Sequence, residues 1–316
     1  MLNWNELRAA HAAHGMSRRG AGAALLAGGL ALLAGCQIAP KAPPPAIPLP
    51  PVPVPVPPKP PLIGLALGGG AARGFAHIGV IQVLEEAGIR PDLVIGTSAG
   101  SLVAALYASG KGGAELATLA RTMDEGAFAD WSFPGRGLIR GEALARFVRE
   151  HTGGKRIEQM KLPLGIVATD LDSGEGIVFR VGDTGIAVRA SSAVPALFQP
   201  VRIGAREYVD GGLVAPVPVR YARQMGAQLV IAVDISEAPE GAATGDAVRM
   251  LLQTFSIMGR SINRFELAGA DVVLRPKLAG VSGADFTMRT RSIQAGRDAA
   301  QAALGGLRGR ILELTK

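Results

Sequence analysis

The chain is short of the residues on which several kinds of chemistry depend. One cysteine in 316 residues excludes an internal disulfide framework and every cysteine-built zinc module. The four histidines, His11, His14, His77 and His151, leave little material for a multi-histidine metal site. No carboxylate cluster suggests a metal either, so neither metal nor cofactor is expected. Aromatic residues number 14, and they form no basic, ring-bearing stripe. No window holds 18 uninterrupted strongly apolar residues, which excludes a polytopic membrane protein. Excess charge is modest as well. Of the formal +7, Arg8, Arg18 and Arg19 against Glu6 supply +2, leaving +5 for the rest of the chain. That is too little to indicate nucleic acid, and no nucleic acid is expected as a partner; mild attraction to anionic lipid fits better. What the chain does have is apolar bulk. With 48% hydrophobic and 19% charged residues it can fill a substantial core, so a wholly disordered chain is excluded.

The N-terminal segment reads as an address. From Met16 to Cys36 two arginines precede an apolar run, Ala21 to Leu33, that ends in small residues, the order of a secretory signal. The run is about 20 Å long as a helix, too short for a bilayer core of roughly 30 Å. It closes on Leu33-Ala34-Gly35-Cys36, which resembles the lipobox of bacterial lipoproteins. That resemblance implies acylation of Cys36, export, and attachment to a membrane. Gln37 in the following position implies the periplasmic side of the outer membrane in a Gram-negative host. Residues 1–35 are therefore expected to be a signal peptide, with Met16 a candidate start. Residues 36–61 follow as a lipidated, proline-rich linker: Pro40 to Pro61 holds 13 of the 22 prolines, and such a run favours extended polyproline II. Residues 62–316 are left as the globular domain, with its motifs in about 63–223.

Within that domain apolar runs and helical periodicities alternate. Strands are expected at Ile63–Leu67, Leu93–Ile95, Leu164–Thr169, Ile177–Arg180, Leu229–Asp234 and Val272–Arg275, with a hairpin at Val201–Ile203 and Glu207–Val209. Helices are expected at Ala76–Ala87, Ser101–Ala108, Ala114–Met123, Glu142–Glu150, Ile186–Ser191, Pro218–Met225, Ala247–Leu267 and Thr290–Leu314. The alternation predicts an α/β fold with a largely parallel central sheet.

Three loops at strand ends carry the chemistry. Gly96-Thr97-Ser98-Ala99-Gly100 is a GxSxG between a strand and a helix, the setting of a nucleophile elbow, in which a serine on a strained turn faces the positive helix end. Gly68-Gly69-Gly70-Ala71-Ala72-Arg73-Gly74 also joins a strand to a helix. It lacks the Lys-Ser/Thr of a phosphate loop, and beside an elbow its amides suit an oxyanion hole. Tyr208-Val209-Asp210-Gly211-Gly212 ends a strand with an acid. Ser98 needs a base, and a triad in the order serine, acid, histidine cannot be built, because no histidine follows His151. His77 lies early in the first helix and reads as a packing or helix-end residue. A carboxylate acting directly on the serine remains.

Together these pieces resemble the patatin-like phospholipases, a family with a Ser–Asp dyad and a three-layer α/β fold. The resemblance spans nearly all of residues 62–316 and includes the run from Val188 to Pro200, VRASSAVPALFQP, and Asp210-Gly211-Gly212-Leu213. It implies Ser98 as nucleophile, Asp210 as proton acceptor, and an oxyanion hole at Gly69, Gly70 and Ala71 supported by Arg73 and Gly74. Ala71 departs from the family glycine, which matters only if the position needs positive φ. The implied activity is hydrolysis of phospholipid or another acyl-ester lipid. Transfer to an alcohol, or a catalytically weak lipoprotein scaffold, is the alternative on the same fold.

Overall fold

The computed structural model describes residues 58–124, 130, 136–236, 245–281 and 286–316. The expected signal peptide, Cys36 and the linker up to residue 57 lie outside the described residues. Among those described, ten strands form: β1 (Ile63–Leu67), β2 (Leu93–Thr97), β3 (Gly137–Ile139), β4 (Leu164–Asp170), β5 (Gly176–Phe179), β6 (Ala196–Phe198), β7 (Val201–Ile203), β8 (Arg206–Asp210), β9 (Leu229–Val233) and β10 (Val272–Leu274). Eight α-helices accompany them: α1 (Phe75–Glu86), α2 (Ala99–Ala108), α3 (Gly113–Thr122), α4 (Glu142–His151), α5 (Thr184–Ser191), α6 (Val219–Gln224), α7 (Ala247–Glu266) and α8 (Arg289–Leu314).

The main sheet runs β10-β9-β1-β2-β4-β8-β7, with β5 also on β4. Its first five strands are parallel, while β5, β7 and β8 join antiparallel. Parallel strands are covered on both faces, so they read as unbroken apolar runs rather than alternating ones. Successive residues of each strand do divide between two cores. Leu65, Leu67, Val94, Ile166, Leu229 and Ile231 face one side, packed with Ile78, Ile81 and Leu84 of α1 and Val103 of α2. Ala66, Ile95, Val167, Val230 and Ala232 face the other, packed with Val219, Tyr221 and Ala222 of α6. The result is three layers with helices on both sides of the sheet.

On the first face α1 and α8 cross at contact distance. A Cβ on Gly79 would lie 1.9 Å from the Ile293 carbonyl oxygen, and one on Gly296 would lie 1.9 Å from that of Ala76. Each helix thus needs glycine where it meets the other. At the chain's end the Lys59 amide donates to the Lys316 carbonyl at 2.7 Å, which ties the entry of the domain to its last residue. A second, two-stranded sheet pairs β3 with β6 in parallel, two three-residue strands that no sequence period announced.

Candidate active site

The register of β4 explains why two distant loops meet. Strand β2 pairs with its first half, Thr97 opposite Val167, and β8 with its second half, Asp210 opposite Ala168. Strand β5 spans Ile166 to Thr169 and so fills the other edge. The ends of β2 and β8 therefore abut on consecutive residues of one strand. Ser98 leaves the sheet just past Thr97, and Asp210 is the last residue of β8. Both side chains line one cavity, with the Ser98 hydroxyl near enough to the Asp210 carboxyl to lower it.

Ser98 itself is held in strain. Its φ of 53° and ψ of −124° are unfavourable for any residue with a Cβ, and it caps α2. The turn is tight enough that a Cβ on Gly96 would stand 2.3 Å from the Gly100 carbonyl oxygen, and one on Gly100 2.1 Å from that of Leu67. The spacing of GxSxG is thus steric. Ser191, at the end of α5, locks the turn: its Oγ accepts the Ser98 amide at 2.9 Å and donates to the Val167 carbonyl at 2.5 Å. Thr97 adds a bond from its Oγ1 to the Ala215 carbonyl at 2.9 Å.

Asp210 is buried, with 7% exposure. Its backbone is pinned by its amide to the Ala193 carbonyl at 3.0 Å and by the Thr169 hydroxyl to its carbonyl at 2.8 Å. The Gly212 amide donates to Oδ1 at 2.7 Å. Burial pushes the carboxyl up to about 6, and the bonds from Ser98 and Gly212 only partly offset this. A carboxylate in that range is poised to take a proton near neutral pH.

The glycine-rich loop lies against the serine, since a Cβ on Gly69 would sit 3.1 Å from the Ser98 Cβ. One expectation needs correction here. The Gly69 amide donates to the Pro216 carbonyl at 2.9 Å, so it holds the loop in place rather than serving an oxyanion. Gly70 and Ala71 are the remaining amides of the expected hole. Ala71 has φ of 49°, so this position does require the left-handed conformation that glycine adopts freely and alanine resists, at about 1–2 kcal/mol. Arg73 closes the short 3₁₀ turn Ala71–Gly74 and is buried, not a surface arginine. Gly74 has no room for a side chain either, a Cβ there lying 2.9 Å from the Ala99 Cβ.

His77 stands on α1, fully buried, with Nε2 bonded to the Gly68 carbonyl at 2.8 Å. Burial pushes it down to about 4, so it is neutral at physiological pH. It braces the glycine loop from behind and is not bonded to Ser98.

Two cavities open on the serine. The larger, about 600 Å³, is lined by Ile78, Val103, Leu106, Leu116, Phe147 and other apolar side chains along with Ser98 and Ala71. That volume is within the usual range of small-molecule sites. The smaller, about 230 Å³, holds Ser98, Asp210, Gly70 and Arg73 together with Leu252, Phe255 and Arg260 of α7. Ser191 and the α7 residues went unrecognised in the sequence. The first is a small hydroxyl within a run of small residues, and the second lie on a helix whose period shows only that it is amphipathic.

A parallel α/β sheet with a serine at a strand-to-helix elbow, a buried carboxylate at its side and an apolar cavity places the chain among the α/β folds that carry such an elbow. Comparison with known proteins narrows this. Residues 65–223 match the family model described as patatin-like phospholipase, and the chain belongs to that family. It is 34% identical over 218 residues to an uncharacterized NTE family protein of Mycobacterium tuberculosis, covering 68% of this chain and 60% of that one. It is 36% identical over 186 residues to patatin-like phospholipase domain-containing protein 6 of Mus musculus, covering 56% of this chain and 14% of the relative. The chain thus spans less than two thirds of the length of these relatives. Among solved structures, VipD from Legionella pneumophila shares the fold, with a TM-score of 0.53 at 15% identity, covering 79% of this chain and 68% of that one.

Proposed function

We propose that the protein is a lipid acyl hydrolase of phospholipase A or lysophospholipase type, working through a Ser98–Asp210 dyad. The observation that carries this reading is a buried carboxyl, pushed up to about 6, that shares a cavity with Ser98 beside a larger apolar cavity. Asp210 takes the Ser98 proton as Oγ attacks the ester carbonyl carbon. The Gly70 and Ala71 amides receive the resulting oxyanion. As the tetrahedral intermediate collapses, the ester C–O bond breaks, and the Asp210 proton goes to the departing alkoxide. Water then repeats the cycle on the acyl-serine, and the fatty acid leaves. The large cavity suits an acyl chain, and the smaller, with Arg73 and Arg260, suits the alcohol side of the lipid.

Product analysis tests this. Purified protein given phosphatidylcholine and its lyso form should release free fatty acid and the matching alcohol in equal amounts. Accumulation of a new ester only when an alcohol acceptor is added would make the enzyme a transferase. No turnover of any acyl ester would leave the scaffold alternative.

Attachment to a membrane through Cys36 is part of the proposal, supported by the lipobox-like Leu33-Ala34-Gly35-Cys36. Several acyl chains at about 0.8 kcal/mol per buried CH₂ hold a protein nearly permanently. Cells fed a clickable palmitate analogue should label the wild-type chain, and Cys36→Ser should abolish the label. A wild-type chain that takes up no label and fractionates as soluble would remove the anchor from the proposal.

A further inference from the structure

Helix α7 is covered on one side only. Its inward residues Leu252 and Phe255 wall the cavities at Ser98. Its C-terminal end is pinned where the Val217 amide donates to Asn263 Oδ1 at 3.1 Å and where Arg220 pairs with the buried Glu266. The opposite side is bare: Met250 is 57%, Ile257 54%, Met258 48% and Phe265 84% exposed. Of the ten large hydrophobic residues exposed among the described residues, six lie on this one helix, Val248 and Leu251 included. A helix facing water carries polar side chains outward, and a concentrated apolar patch marks an interaction surface.

The spacing organises the patch. At 3.6 residues per turn, Leu251, Met258 and Phe265 recur along one line and Met250 and Ile257 along a neighbouring one, a strip about 120° wide. Arg249, Arg260 and Arg264 fall together on the flank beside Ile257, within about 60°. Asp246 caps the helix and pairs with Arg249 at 3.4 Å, while Arg260 and Arg264 are exposed with no ion pair among the described residues. An apolar strip bordered by arginines is the pattern of a helix lying in a membrane interface.

We propose that the outer face of α7 docks on an anionic phospholipid bilayer, with Met250, Leu251, Ile257, Met258 and Phe265 entering the acyl boundary and the three arginines meeting lipid phosphates. The proposal rests on the lipid-hydrolase reading, and the wall that α7 shares with the cavity gives it a purpose. A lipid drawn from the bilayer beside the helix enters next to Ser98. The apolar face therefore belongs to substrate delivery as well as to attachment.

Because Cys36 is the only cysteine, an environment-sensitive fluorophore can be placed at will in the full chain carrying Cys36→Ser. Labels at Met258→Cys and Phe265→Cys should shift to the blue on vesicles of phosphatidylcholine and phosphatidylglycerol and be quenched by lipids brominated on the acyl chains. A label at Val181→Cys, 66% exposed on another part of the surface, should do neither. Arg264→Gln should weaken the vesicle-induced shift about fivefold in apparent affinity, equivalent to about 1 kcal/mol per basic residue. Labels on α7 that stay in water while the chain sediments with vesicles would overturn the proposal. So would a shift produced by raising protein concentration alone, which would make a second copy the occupant. Adding Ser98→Ala should leave the shift unchanged. A protein that docks in this way yet hydrolyses no ester would refute the hydrolase reading and leave the docking surface standing.

Discussion

Ser98→Ala should reduce kcat/KM on a soluble short-chain ester by about 10³- to 10⁶-fold, the range seen when a nucleophile is deleted from a serine hydrolase. The substitution keeps the Cβ and so keeps the strained turn, with φ still near 53°. The glycine clearances at Gly96 and Gly100 and the Ser191 bond to the Ser98 amide are likewise untouched. Only Oγ is removed, and with it the polar contact that lowers the Asp210 carboxyl, a change worth about 1 kcal/mol of stability. The thermal midpoint should therefore move by only a few degrees while activity disappears. Retention of more than about a hundredth of wild-type turnover, in a protein that melts like wild type, would show that another nucleophile is at work.

Asp210→Asn should cost about 10³- to 10⁴-fold in rate, since no second base touches Ser98 among the described residues and a positioned base contributes up to about that much. His77 offers no rescue, being bound to the Gly68 carbonyl and neutral. The same substitution should make the fold more stable. The carboxyl at about 6 in the native state lies above its ordinary 3.8, so the folded protein binds this proton more tightly than the unfolded chain does. For this group stability is greatest below pH 3.8 and declines as pH rises toward 6. Above pH 6 the decline totals about 3 kcal/mol, at 1.36 kcal/mol per pH unit. Asparagine carries no charge and still offers Oδ1 to the Gly212 amide, so a gain of about 1–3 kcal/mol is expected at pH 7.5. Denaturant melts of both proteins at pH 7.5 and 5 should show the gain shrinking at the lower pH. In the wild type, log kcat/KM should fall below pH 6 as Asp210 gains its proton. A gain in activity on acidification would contradict the base assignment.

Much of the fold was legible because its central strands are buried on both faces. Ile63–Leu67 forms the strand expected from a short apolar run, and α2 follows the elbow as its glycines require. The long helices matched to within a residue or two at their ends, because period and caps agree over many turns. Strands β3 and β6, three residues each, are too short to show any period. At the site, elimination points to a carboxylate as base, the chain lacking any histidine past His151, and the family resemblance is what places that role on Asp210. What stayed hidden depends on contacts far apart in the chain. The Gly69 amide is taken by Pro216, and Ser191 reaches Ser98 across 93 positions. The apolar outer face of α7 was hidden for a related reason: periodicity reveals that a helix has two faces, and only the packed structure reveals which of them is left uncovered.

The most direct test of the Ser98–Asp210 account is the pH dependence of labelling by a fluorophosphonate, which reacts with an activated serine and forms no bond with an idle one. The account predicts one mole of label per mole of protein, located on Ser98 by peptide mass spectrometry, at a rate that rises with pH through an apparent pKa of about 6, the value of the buried Asp210 carboxyl. Asp210→Asn should label slowly at every pH. Label found on another residue, or a Ser98 that reacts at the same rate in the wild type and in Asp210→Asn, would contradict it.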